Sequence, residues 1–222
     1  MLTEMPAAGT KLAEAPLGRG RRDKRERILE AAIRVFARTG YHRARVSDIA
    51  SEAGIAYGLV YHYFDTKEDL LASLFRERWS VFLAAVEAIA AAPTRTQDKL
   101  LAVAELVFHA YRLRPEWVTV LVLEIQRSSR ITEPEQQRAV GRLFQQVARM
   151  LRDGQARGEL REGLDPDVAA YLFIGGLEIV ITAHVLDVLR IEAGGESEYY
   201  RKVAGSVVEI FLHGLAAREE SR

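Results

Sequence analysis

Apolar residues recur at helical spacing along most of the chain, and sustained two-residue alternation of the kind a half-buried strand needs is not found. That pattern predicts an all-α protein. Ile28, Ala31, Ala32, Val35 and Phe36 fall on one face of a helix running on from Arg25 and stopped by Gly40. A short helix is expected over about Ser47–Ala53, ended by Gly54, and a second over Tyr57–Phe64. One long helix then runs from Lys67 to about Ala91, before Pro93. Five more follow near 98–113, 115–129, 134–157, 166–189 and 197–217, about nine in all. Thr132 and Glu135 have capping-box spacing beside Pro134, Asp165 stands where a cap precedes Pro166, and Gly194-Gly195 separates the last two helices. The chain divides into a disordered arm over 1–20, a helix-turn-helix unit over 21–66 and a larger helical body over 67–222.

Charge distribution separates the two ends. The 222 residues carry 31 Lys/Arg and 31 Asp/Glu, which argues against an indiscriminate nucleic-acid binder. Residues 1–46 nevertheless hold eleven Lys/Arg against five Asp/Glu, so a basic end is joined to an acidic body. Such a chain suits a protein that touches an anion with one end only. There is no cysteine, which excludes disulfides and thiolate metal sites, and no metal or cofactor is expected. No uninterrupted apolar run reaches ~18 residues, and residues 1–20 lack the apolar stretch of a signal peptide, so the expectation is a cytoplasmic protein without a membrane span. His-Glu-x-x-His, glycine-rich phosphate loops and Ser or Cys nucleophile motifs are absent, and no enzyme is expected.

Residues 46–64 join two short helices through a turn containing Gly54, the spacing that sets two helices at a steep angle. Ile49, Ala50 and Ala53 should face the partner helices, Gly54 supplies the positive φ, and Ile55 fills the angle. The second helix would enter a major groove while the first crosses the backbone. Arg43 and Arg45 precede the first helix; Tyr57, Tyr61, His62 and Tyr63 crowd the second; Lys67 opens the next. Phenol, imidazole and lysine groups are good phosphate partners, although Tyr61 and Tyr63 are equally at home in a core. Arg21–Arg25 adds either a flexible DNA contact or a solvated arm. One such helix reads few base pairs, so two copies on a twofold axis, reading a palindrome, are expected.

Taken together, Gly40-Tyr41, then Val46-x-Asp48-Ile49-Ala50-x-x-Ala53-Gly54-Ile55, then Gly58-x-x-Tyr61-x-Tyr63-Phe64-x-x-Lys67-x-x-Leu70-Leu71 resembles the N-terminal signature of TetR-family repressors. The resemblance implies a three-helix DNA-binding domain with Tyr57, Leu59, Tyr61, His62 and Tyr63 facing double-stranded operator DNA and Lys67 holding a phosphate. It departs from the family's pattern at Arg45 and Ala56, where hydroxyl caps are common, and at Leu59, where Thr is frequent. A missing cap costs ~0.5–2 kcal/mol. Leu59 cannot donate to a phosphate but suits a thymine methyl.

Over 168–189 apolar residues surround nearly the whole helix, so its own domain covers one side and a second copy of the chain is the natural cover for the other. Resemblance to TetR relatives, which pair through a four-helix bundle of the last two helices, places Phe173, Gly176, Val180, Val207, Phe211 and Leu215 at a homodimer interface. Between 98 and 189, Phe108, Trp117, Leu121, Phe144, Phe173 and Leu177 are either plain core or the lining of a small-molecule pocket. His109, Glu124, Glu178 and His184 interrupt apolar faces, each as a satisfied structural group or a ligand contact. Arg127 and Arg130 stand where an anionic head group would be held. The run Leu123-Glu124-Ile125-Gln126-Arg127-Ser128-Ser129, with Gly154-x-x-x-Gly158-Glu159-Leu160 and Gly175-Gly176-Leu177, is similar to the sensing domain of TetR-type repressors of fatty-acid degradation. That similarity implies a repressor released by long-chain acyl-CoA. A sensor of lipophilic drugs and a ligand-independent DNA-binding protein are the alternatives.

Overall fold

The computed structural model describes residues 19–122, 134–189 and 196–213, and these form nine α-helices without a strand. Three of them, α1 (Arg19–Thr39), α2 (Val46–Ala53) and α3 (Tyr57–Val60), enclose the N-terminal core. Ile28, Leu29, Ala32, Val35 and Phe36 of α1 are buried on the face that the spacing marks, together with Ile49, Ala50, Ala53, Val60 and Phe64. Each large apolar side chain so buried contributes ~1.5–3 kcal/mol. Gly40 and Gly54 end α1 and α2 with φ of 75° and 63°, a region glycine enters without steric cost. Arginines of α1 then grip α2: Arg27 donates to the Ala53 carbonyl at 2.6 Å, and Arg34 reaches Glu52 at 2.7 Å.

Six helices build the rest: α4 (Lys67–Ala91), α5 (Thr96–Leu113), α6 (Pro115–Val120), α7 (Pro134–Ala156), α8 (Pro166–Val185) and α9 (Glu196–His213). The hydroxyl of Thr66 caps α4 by accepting from the Asp69 amide at 3.0 Å. At its far end the buried Lys99 donates to the Ala90 carbonyl at 2.7 Å, a cation at the negative end of the helix. Midway, the Trp79 indole donates to the Ala139 carbonyl of α7 at 3.0 Å. Helices α5 and α9, α7 and α8, and α1 and α6 pack against each other, so the N-terminal unit touches the body through both α4 and α6. Asp165 caps α8, accepting from the amides of Asp167 and Val168 at 2.9 and 3.3 Å with Pro166 in the first turn.

Three expectations are corrected in detail. Helix α1 already begins at Arg19, within the expected arm; residues 1–18 lie outside the described residues. Helix α3 is four residues long because the chain tightens after Val60, whose carbonyl receives both the Tyr63 and Phe64 amides at 3.0 Å. Helix α6 covers Pro115–Val120 and passes into a π-turn at 121–122, and the remainder of the expected 115–129 helix falls in residues 123–133, which are outside the described residues, as are 190–195 and 214–222. The Thr132–Glu135 cap and the Gly194-Gly195 break therefore fall there too, Glu135 through its side chain. Helix α8 ends at Val185, where Val188 and Leu189 turn back to donate to the Ala183 carbonyl at 2.8 and 3.1 Å.

By length and composition α8 is apolar enough to cross a membrane, with a mean hydropathy of 1.8 over the relevant stretch and 33% of that stretch buried. Its inward side, Ala169, Ala170, Phe173, Leu177 and Ile181, belongs to the core. Val168, Tyr171, Leu172, Gly175 and Ile179 repeat at helical spacing along the opposite side and are all exposed.

Candidate functional site

Two regions carry chemistry. The first is the outer face of the helix-turn-helix. Burial of Val60 and Phe64 turns the other side of this segment to solvent, leaving Tyr57 53% and Tyr61 42% exposed. Their hydroxyls lie 3.1 Å apart and their rings meet edge to face. The hydrogen bond with Tyr57 raises the Tyr61 phenol above its ordinary value of 10.0. Arg45, Ser47, Tyr57, Tyr61 and Lys67 border one open depression on this surface. Arg43 and His62 are exposed as well, with Arg43 donating to the Thr39 carbonyl at 3.0 Å, whereas Leu59 and Tyr63 are half-buried. The edge of His62 meets the Tyr63 ring at 5.5 Å.

Local order compensates for the absent hydroxyl caps. Arg45 has no side-chain acceptor, but its backbone amide donates to Asp48 Oδ2 at 3.2 Å, half of a capping box. Ala56 makes no side-chain cap, and α3 is correspondingly short. Lys67, to which the resemblance assigns a phosphate, is engaged within the chain. Its Nζ donates to the carbonyls of Tyr41 and Ala44 at 2.9 and 3.0 Å and sits over the Tyr41 ring at 4.4 Å. Tyr41 in turn donates to Glu68 at 2.7 Å, which holds that carboxyl below its usual range. Lys67 thus fastens the start of α4 to the loop after α1. Arg25 is likewise turned inward: it pairs with Glu77 and lies over the Phe64 ring at 5.0 Å.

The second region is a cavity of about 400 Å³ among α4, α5, α6, α7 and α8, within the size range of small-molecule sites. Its lining is mostly apolar, with Trp79, Phe82, Val107, Trp117, Leu121, Leu143, Ile174, Leu177 and Ile181. His109, Glu178, Arg78 and Arg114 are its polar members. Of the residues read as pocket lining, His109, Trp117, Leu121 and Leu177 border this space. Phe108, Phe144 and Phe173 do not. Phe108 stacks on Tyr200 at 5.5 Å, Phe144 packs on Tyr171 at 4.4 Å, and Phe173 meets Phe211 at 5.2 Å. Each packs instead on an aromatic ring of another helix, α9 for Phe108 and Phe173 and α8 for Phe144. Glu124 and Arg127 lie outside the described residues.

The expected dimer residues divide too. Phe173 is buried within its own chain, so it cannot meet a second copy. Gly176, Val180, Val207 and Phe211 are half-buried, and a Cβ at Gly176 would stand 4.0 Å from Val207. Leu215 lies outside the described residues. His184, in contact with Tyr111, Tyr199 and Tyr200, is part of an aromatic cluster away from the cavity lining.

Arg78 and Arg114 were missed in the sequence. A signal for them exists in α1: Glu26 and Glu30 are like charges one turn apart, a pair that destabilises a helix unless a cation from elsewhere joins them.

Comparison with known proteins agrees with this architecture. The model for bacterial regulatory proteins of the tetR family matches residues 28–74, and the model for the tetracyclin repressor-like C-terminal domain matches residues 97–186. The fatty acid metabolism regulator protein of Bacillus subtilis (strain 168) is 29% identical over 197 residues, 88% of this chain and 97% of that protein. Among solved structures, the fatty acid degradation regulator FadR from Bacillus halodurans superposes with a TM-score of 0.78 at 27% identity, covering 92% of this chain and 100% of that one. The regulator FadR from Bacillus subtilis in complex with stearoyl-CoA gives a TM-score of 0.76 at 28% identity, covering 86% and 99%. With both family models matched in order, the head carrying an exposed tyrosine face and the body enclosing a cavity, this chain belongs to the TetR family and is a transcriptional regulator rather than an enzyme.

Proposed function

We propose that the chain is a repressor that binds palindromic operator DNA as a homodimer and releases it when a long-chain acyl-CoA enters the cavity. The observation that carries the ligand is the cavity itself: an apolar space with two arginines on its border suits an acyl chain joined to a phosphate-bearing head. The relative solved with stearoyl-CoA supports the same ligand class. Arg43, Arg45, Tyr57, Leu59, Tyr61, His62, Tyr63 and Lys67 are the proposed DNA-facing residues, and Lys67 also holds the loop that leads to Arg45. The exposed stripe Val168, Tyr171, Leu172, Gly175 and Ile179 on α8, continued by Ile210 on α9, supports pairing of two copies through these helices. A reader of operators works beside the chromosome, in the cytoplasm of a bacterium.

The test is a fluorescence-anisotropy titration of operator DNA with and without stearoyl-CoA. Release on adding stearoyl-CoA is expected, with a coupling of ~1–3 kcal/mol, roughly 5–150-fold in operator affinity. Unchanged affinity at saturating stearoyl-CoA would remove it as effector, and release by a lipophilic cation instead would reassign the cavity to drug sensing.

A further inference from the structure

The carboxylates of Glu26 and Glu30 converge on cations that α1 does not supply. Arg78 of α4 bonds both, reaching Glu30 at 2.7 Å. Arg114, immediately before α6, adds two contacts to Glu30 at 3.0 and 3.1 Å. The same two arginines border the cavity. A carboxylate of the DNA-binding head thus occupies the same guanidiniums that an anionic group entering at the cavity edge would meet, and their planar fork pairs with carboxylate and phosphate alike.

Resting on the acyl-CoA reading above, we propose that Arg114 and Arg78 receive the phosphate-bearing head of the effector and that Glu30 is its competitor within the chain. Ligand entry then unlatches α1 from α6. The two arginines are unequal partners. Arg114 has 61% of its side chain exposed and is free to turn from Glu30 toward a ligand, whereas Arg78 is 27% exposed and keeps Glu26 when Glu30 is given up. In the latched form Glu30 joins α1 to both α4 and α6, and the head is held against the body. In the liganded form that joint is replaced by an effector contact. Binding free energies are reciprocal, so whatever the ligand does to the latch, the latch does to the ligand.

Reciprocity sets the test. Full-length wild type, Glu30→Gln and Arg114→Gln are compared by calorimetry with dodecanoyl-CoA and with S-dodecanoyl-N-acetylcysteamine, which keeps the chain and thioester but has no phosphate. Glu30→Gln removes the competitor and is expected to tighten dodecanoyl-CoA by ~5-fold or more; Arg114→Gln removes the receptor and weakens it by a similar factor. The neutral thioester should bind all three alike, which also reports an intact cavity. Operator release by dodecanoyl-CoA should span a smaller fold-change in Glu30→Gln than in wild type. Opposite shifts in the two variants are the signature, since loss of packing would move both the same way. Should Glu30→Gln fail to fold, the exposed Arg114→Gln alone still separates the two ligands. If wild type binds dodecanoyl-CoA and releases operator while the variants match it, or shift together, the latch is wrong and the acyl-CoA reading stands. If wild type binds neither ligand, both fall together.

Discussion

Glu159 illustrates how one carboxylate can hold a corner of the fold. It accepts from Arg157 at 2.9 Å and from the Thr96 amide at 2.7 Å, joining the turn after α7 to the first turn of α5. The Arg157 hydrogen bond first, then those of Thr96, bring its pKa from the ordinary 4.5 to about 2. A carboxylate with a depressed folded value stabilises the fold fully above its unfolded value and loses that contribution as pH falls through the folded one. Glu159→Gln should therefore melt below wild type at pH 7, and the gap should close between pH 4.5 and about 2, as calorimetric scans across that window would record. On the DNA side, Arg45 is the exposed cation beside Tyr57 and Tyr61. Arg45→Gln should weaken operator and unrelated DNA alike and lower the salt slope by ~1, as expected of a phosphate contact. A loss confined to one operator position would instead mark it as a base reader.

At the scale of helices, the crossing of α7 over the start of α5 is set by Gly154. It is buried, and a Cβ there would overlap Thr96 Oγ1, with Thr96 itself fully buried and Leu160 at 3.1 Å. Gly154→Ala should destabilise the protein by ~1–3 kcal/mol, measured by urea unfolding, because the fully buried Thr96 side chain must move aside to admit the methyl group. Helix existence was legible in the sequence because the spacing and the punctuation agree. Ile28 to Phe36 form a buried face, Gly54 carries the positive φ, and Asp165 caps α8. Helix ends were less legible. Residues 61–64 coil onto the Val60 carbonyl rather than continuing α3, a tightening that the apolar spacing does not encode. The cavity was legible only in part, for the same reason. Trp117 and Phe144 look alike in a periodic stripe, and only the neighbour chosen by each helix face sends one to the cavity and the other to Tyr171. Arg78 and Arg114 escaped because their partner Glu30 is 48 and 84 residues away.

For the molecule as a whole, the decisive surface is the exposed apolar side of α8. Leu172 is 67% and Ile179 65% exposed, on a stripe that a second copy would cover. A charge there should be tolerated by the monomer fold and not by the pair. Leu172→Glu is expected to sediment as a single subunit in analytical ultracentrifugation and to lose most operator affinity, since one head reads only half of a palindrome; a variant that still pairs and binds would move the interface elsewhere. Helix α4 has a consequence of its own at this scale. It contains neither proline nor glycine, the usual causes of a kink, over 25 residues, about 37 Å of rod. Its first turn is bolted by Lys67 to the loop after α1, and its middle walls the cavity. A rod of that length is a lever: a tilt of ~5° about its far end, where Lys99 holds the Ala90 carbonyl, displaces the reading end by ~3 Å. That is close to the rise of one base pair, so a displacement too small to disturb the packing of the body is enough to put two reading heads out of step with successive grooves.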